Sequence, residues 1–181
     1  MMSRYAVFIR AINVGGRSVR MDDIASGLAK AGFENVSIFR QSGNLVLSSS
    51  IQDEGEIDRI IAEEMERLTG LNVEIFLVPM ERLARLVDAA PFDGLLSDGD
   101  RGFATFLSAR PTTVPEMPFI IYKGIIMIGL KDAVVLSIVR KDEGSGPAND
   151  LIERTYGVRA TTRNWSTVKG LVEKERNRDR S

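Results

Sequence analysis

Apolar positions along the 181-residue chain change period from segment to segment, and each change marks an element. Tyr5 to Ile9 is a short, unbroken apolar run with aromatic and β-branched members, the pattern of a strand covered on both faces. Met21, Ile24, Leu28 and Ala31 then recur at helical spacing, with Asp22 near the start and Gly32 just past the end. Val36–Phe39 and Leu45–Leu47 read as two strands joined by a tight turn at Ser42-Gly43-Asn44. A longer helix opens at Asp53, turns Ile57, Ile60, Ile61, Met65 and Leu68 inward, and stops at Gly70. Val73–Val78 is the next strand.

This order, β-α-β-β-α-β, predicts a ferredoxin-like split βαβ plait over residues 4–78. A right-handed crossover makes the first two strands parallel, and the hairpin sets the third strand between them. The loop leaving the first strand and the turn joining the second and third then fall on one edge. Arg10 through Gly16 is thereby placed beside Gln41 through Asn44.

The second half repeats the alternation without repeating the sequence. Leu83, Leu86, Val87 and Ala90 suggest a short helix stopped by Pro91, and Asp93–Gly102 is a polar loop. Strands are expected at Phe103–Leu107, Phe119–Tyr122, Ile125–Leu130 and Val134–Val139. A helix from Asn149 to Tyr156 ends at Gly157. Ala160–Trp165 reads as a polar loop before a last helix that turns Val168, Leu171 and Val172 inward, with Thr162 or Ser166 as its cap. The expected class is α+β. Residues 1–79 form the plait, 80–101 a helical connector and loop, and 102–176 a second α+β subdomain with a mainly antiparallel sheet. The two halves pack as one compact unit, and 177–181 is a frayed tail.

Composition narrows the chemistry. The chain has neither cysteine nor histidine. Disulfides, thiolate nucleophiles, Cys-ligated zinc and a Ser-His-Asp triad are therefore excluded. Any catalysis must use Asp, Glu, Lys, Arg, Tyr, Ser or Thr, and a metal would have to be a hard, oxygen-ligated ion. No cofactor is implied. Asp93, Asp98 and Asp100 lack the spacing of a calcium hand and read as a solvated loop. Lys plus Arg number 24 and Asp plus Glu 25, so net charge gives no drive toward nucleic acid. The third strand, Leu45-Val46-Leu47-Ser48, offers no aromatic for base stacking, which also argues against RNA. No apolar run approaches the roughly 20 residues of a membrane helix. The N-terminus has no apolar core of a signal peptide, so a cytoplasmic protein with no membrane partner is expected.

Three polar stretches remain as candidate sites. Asn13-Val14-Gly15-Gly16-Arg17 lies between a strand and a helix, where glycines can turn backbone N–H groups inward as an anion nest and Arg10, Arg17 and Arg20 supply charge. The same glycines could instead serve only the turn. Gln41-Ser42-Gly43-Asn44 offers amides and a hydroxyl at a hairpin, or plain turn chemistry. In Thr161-Thr162-Arg163-Asn164-Trp165-Ser166-Thr167, Trp165 is expected in the core, while Arg163 and Asn164 face a ligand or tie the halves together.

Taken together, Arg10-Ala11-Ile12-Asn13-Val14-Gly15-Gly16, Met21, Gln41-Ser42-Gly43-Asn44 and Thr161 through Val168 resemble the signatures of the domain of unknown function 1697 family, mostly bacterial proteins. The resemblance runs from Tyr5 to Leu171. The family usually carries glycine where this chain has Ala11. It implies an α+β protein whose first half is ferredoxin-like, and it brings no activity with it. Three functions stand open. The first is binding of a phosphorylated or other anionic small ligand through Arg10, Asn13, Gly15, Gly16, Gln41, Ser42 and Asn44, with Arg163 and Asn164 as a further wall. The second is an acylphosphatase-like phosphoryl hydrolase using Arg20 and Asn44, by analogy of fold. The third is a protein-interaction module marked by an exposed apolar patch.

Overall fold

The computed structural model describes residues 2–10, 19–40, 42–144 and 146–178. The chain divides into two compact units, Met1–Leu83 and Ala84–Ser181. It is a mixed α+β protein, with two antiparallel sheets and five helices among the described residues.

The first unit holds strands β1 (Ser3–Ile9), β2 (Glu34–Ile38), β3 (Asn44–Ser49) and β4 (Ile75–Pro79), with helices α1 (Met21–Lys30) and α2 (Glu54–Thr69). The strands lie in the order β2-β3-β1-β4, every neighbour antiparallel. The third strand thus lies between the first two, as expected. Asp53 caps α2 by accepting from the backbone N–H groups of Gly55 (2.8 Å) and Glu56 (3.2 Å). Gly70 ends α2 in the left-handed region, where a Cβ would be strained. Tyr5, Val7 and Ile9 of β1 and Leu45 and Leu47 of β3 pack with Ile24 and Leu28 of α1 and Ile57, Ile61 and Met65 of α2. Each helix therefore buries one stripe on one face of the sheet. Helix α3 (Met80–Asp88) follows β4 directly.

The second unit has a sheet of its own. Strands β5 (Arg101–Leu107), β6 (Phe119–Tyr122), β7 (Ile125–Lys131), β8 (Val134–Val139) and β9 (Ala160–Asn164) lie in the order β6-β7-β8-β5-β9. Helix α4 (Asn149–Tyr156) sets Ile152 and Tyr156 against Phe103, Leu107, Met127, Val135 and Val139 on one face. Helix α5 (Trp165–Arg178) begins with the buried Trp165, whose ring lies 5.1 Å from that of Phe92.

Three local expectations are corrected. Ala160–Asn164 is a strand rather than a loop, paired along its length with β5 from Ala160↔Leu107 to Asn164↔Phe103. Its three polar residues at Thr161-Thr162-Arg163 hid the alternation that marks a strand. Thr162 is therefore mid-strand and caps nothing. Asp100 is no solvated side chain. It accepts from the N–H groups of Ser97 (3.0 Å) and Lys141 (3.1 Å) and pairs with Arg140. The Ser97 N–H, then Arg140 and Lys141, hold its carboxyl below the usual range.

Candidate functional site

The end of β1 is where the first unit gathers its candidate residues. On one side, the Ile9 N–H donates to the Gly43 carbonyl at 2.8 Å; on the other, the Arg10 N–H donates to the Glu74 carbonyl at 2.9 Å. Strand β1 is thus pinned between the β2–β3 turn and the segment entering β4. Gly43 has φ +77°, and a Cβ there would stand 2.8 Å from the Ile9 carbonyl oxygen. Only glycine lets the turn come this close. Asn44, the next residue, is fully buried, and its Nδ2 donates to Ser42 Oγ at 3.0 Å. Its carbonyl accepts from the Phe39 N–H at 2.8 Å, closing the turn from the β2 side.

Arg10, Ser42 and Asn44 therefore share one end of one sheet. Asn13, Gly15, Gly16 and Gln41 lie outside the described residues. Two further charged residues stand at this end, and of them only Glu74 carried no signal in the sequence motifs. Glu74 takes a hydrogen bond from Arg10 Nη1 at 3.0 Å, so a carboxylate already offsets part of that cation's charge. Arg40 sets its guanidinium 5.5 Å from the centre of the Phe39 ring. Topology could have found Glu74, because an antiparallel β4 must begin where β1 ends.

Arg163 and Asn164 belong to the second unit, and alternation along β9 sends them to opposite faces. Arg163 Nη1 donates to Thr161 Oγ1 (2.8 Å) and to the Thr162 carbonyl (2.9 Å). Burial pushes its guanidinium down to about 10. Asn164 instead shares its face with Thr162 and lines a cleft of about 380 Å³ with Phe103, Pro147, Ala148 and Asn149 at the start of α4. Sequence neighbours are here separated by a sheet.

A directed chain of hydrogen bonds runs through Asn149 and Thr162 of the cleft's lining to Thr105, which is fully buried behind it. Thr162 Oγ1 donates to Asn149 Oδ1 at 2.9 Å. A hydroxyl has one proton, so at the 2.9 Å contact between Thr105 and Thr162 it is Thr105 that donates. The three residues come from β5, α4 and β9, and only Thr162 lies in one of the polar stretches picked out in the sequence. Among the described residues no group of three or more acidic side chains is arranged to hold a metal ion, and no helix is long and apolar enough to cross a membrane.

Comparison with known proteins places the chain without assigning a reaction. The family model described as a protein of unknown function, DUF1697, matches residues 2–117, and the chain belongs to that family. The match spans the first unit and β5; the Thr161–Val168 stretch lies beyond it. No curated protein matches. Among solved structures, the conserved bacterial protein SP0830 from Streptococcus pneumoniae is similar at 17% identity with a TM-score of 0.67, covering 96% of this chain and 98% of that one. At that identity the likeness is one of fold.

Proposed function

For this member of the DUF1697 family, we propose that the first unit binds a phosphorylated or other anionic small ligand where β1 ends. Arg10, Asn13, Gly15, Gly16, Gln41, Ser42 and Asn44 contribute. One observation carries the reading: the Ile9–Gly43 hydrogen bond joins the end of β1 to the β2–β3 turn, so Arg10 and the Ser42–Asn44 pair stand at one edge. The reading treats this unit as a ferredoxin-like plait, for which the order β2-β3-β1-β4 is the support. Glycines at 15 and 16 then supply backbone N–H donors, Arg10 the charge, and Ser42 a hydroxyl.

Glu74 sets the terms of binding. An anion approaching Arg10 meets a carboxylate already 3.0 Å from Nη1. It must share the guanidinium or displace the carboxylate, which costs affinity. Melting temperature measured against inorganic phosphate, sulfate and nucleotides tests this, because a ligand of the folded state raises it by mass action. We expect a rise with phosphate-bearing compounds that Arg10→Ala abolishes and Glu74→Gln enlarges. Arg163→Ala and Asn164→Ala, measured alongside, report whether second-unit residues take part. No shift with any anion, or a shift indifferent to Arg10→Ala, overturns the proposal.

A further inference from the structure

The cleft at the start of α4 uses none of the residues assigned to the anion site of the first unit. It measures about 380 Å³, at the small end of the range usual for small-molecule sites. Packing and hydrogen bonds hold its walls in place. Gly146 has φ +136°, and a Cβ there would stand 2.8 Å from Phe103 Cε1, so glycine is what allows the segment entering α4 to lie against β5. Pro147 follows it and is buried. Asn164 is paired with Phe103 in the β5–β9 ladder and is exposed, two residues beyond Thr162 on the same face.

The chain that starts at Thr105 fixes what the cleft offers. Thr162 commits its proton to Asn149 Oδ1, so that amide is held with its oxygen toward β9 and its Nδ2 left as a donor. Asn164 adds a second carboxamide, which both donates and accepts. Neither amide has a further hydrogen-bond partner among the described residues. None of the described lining residues is charged. The neighbouring charges are engaged elsewhere. Asp150 offsets the positive end of α4 from its first turn and pairs with Arg154 at 2.5 Å. Arg101 lies 5.8 Å from the centre of the Phe103 ring and donates to the Gly144 carbonyl. The cleft therefore favours an uncharged ligand. A nucleobase would need an open ring face to stack on, whereas Phe103 is only 3% exposed and already lies under Arg101. Hydroxyl groups, each donor and acceptor at once, match a fixed donor beside a two-way amide. We infer that the second unit binds an uncharged polyhydroxyl compound of monosaccharide size, its hydroxyls bridging Asn149 Nδ2 and the Asn164 amide.

NMR of the isotope-labelled full chain tests it, with the side-chain amides of Asn149 and Asn164 followed during titration. The probes are D-glucose, D-ribose and myo-inositol, set against uridine, adenosine, acetate and inorganic phosphate. We expect a saturable shift of both amides with at least one of the three polyols and none with the other four compounds. Asn164→Ala should raise the dissociation constant about tenfold. Ala148→Trp should abolish binding by filling the cleft while leaving the Thr105–Thr162–Asn149 chain intact. Both positions are exposed, so the fold is retained, as far-UV circular dichroism would verify. No saturable shift with any of the three polyols overturns the proposal. So does binding indifferent to Asn164→Ala or to Ala148→Trp, or an equal response to the nucleosides, acetate or phosphate.

Discussion

The two polar clusters are built in opposite ways. In the first unit, Arg10, Ser42, Asn44 and Glu74 meet at the end of a sheet, where three chain segments stop or turn. In the second, Thr105, Thr162 and Asn149 run across the face of a sheet and up to a helix. The first includes an ion pair, and the second is neutral throughout. A sheet's end lets turn residues approach a neighbouring strand's backbone, so part of its chemistry, Ser42 to Asn44, is packed into consecutive positions. A sheet's face takes one residue from each strand, so its chemistry is scattered over positions 105, 149 and 162. The first arrangement writes most of its residues into motifs; of the second, only Thr162 falls in one.

Substitutions can break this contrast. The largest effect is expected from Gly43→Ala, because the site has positive φ and its new Cβ would press on the Ile9 carbonyl. It should destabilise the first unit by about 3 kcal/mol. Chemical denaturation with separate probes, Trp165 fluorescence for the second unit and far-UV signal for both, should show the second unit's transition unmoved. Loss of both together would mean that the units unfold as one.

Thr162→Val comes next, at about 2 kcal/mol, since it strips a donor from Asn149 and an acceptor from Thr105 at once. Adding Thr105→Val should cost less than the two single changes combined, as expected within one network. Additive losses in denaturant titration would dissolve the chain into unrelated contacts.

The smallest effect has the opposite sign. The Tyr156 hydroxyl is buried beneath α4 with no hydrogen-bond partner among the described residues, and desolvation pushes it up to about 12 from the ordinary 10.0. Tyr156→Phe should therefore stabilise the second unit by about 0.5 kcal/mol at neutral pH. A folded-state value above the unfolded one means that the unfolded chain loses its proton first as pH rises. Stability from this group is complete below pH 10.0 and declines toward 12. That decline should be missing in Tyr156→Phe when unfolding is measured across the alkaline range.

The same contrast explains what could be read in advance. Alternation and runs of Val, Ile and Leu located β1, β7 and β8, and Asp53 and Gly70 announced the ends of α2 through chemistry that acts within a turn of its own position. The β-α-β-β-α-β order, read as a split plait, put β3 between β1 and β2. The strand at Ala160–Asn164 escaped because its neighbours are threonine and arginine, whose pairing with β5 is decided by a partner nearly 60 positions away. Glu74 escaped for a similar reason, since its tie to Arg10 spans 64 positions. Asp100 looked like an acidic loop because its partners at Arg140 and Lys141 arrive from another part of the chain.

The clasp between Arg176 and Asp88, with Nη2 2.8 and 2.7 Å from the two carboxylate oxygens, has an evolutionary side. It joins a point near the start of the second unit to one near its end. The first unit does the same through its backbone, where Tyr5 lies opposite Pro79 in the β1–β4 ladder. Each unit is thus a closed loop whose entrance and exit coincide, the geometry that tolerates circular permutation and domain insertion. A duplication or insertion event that respected these closures would leave each unit's first and last elements side by side.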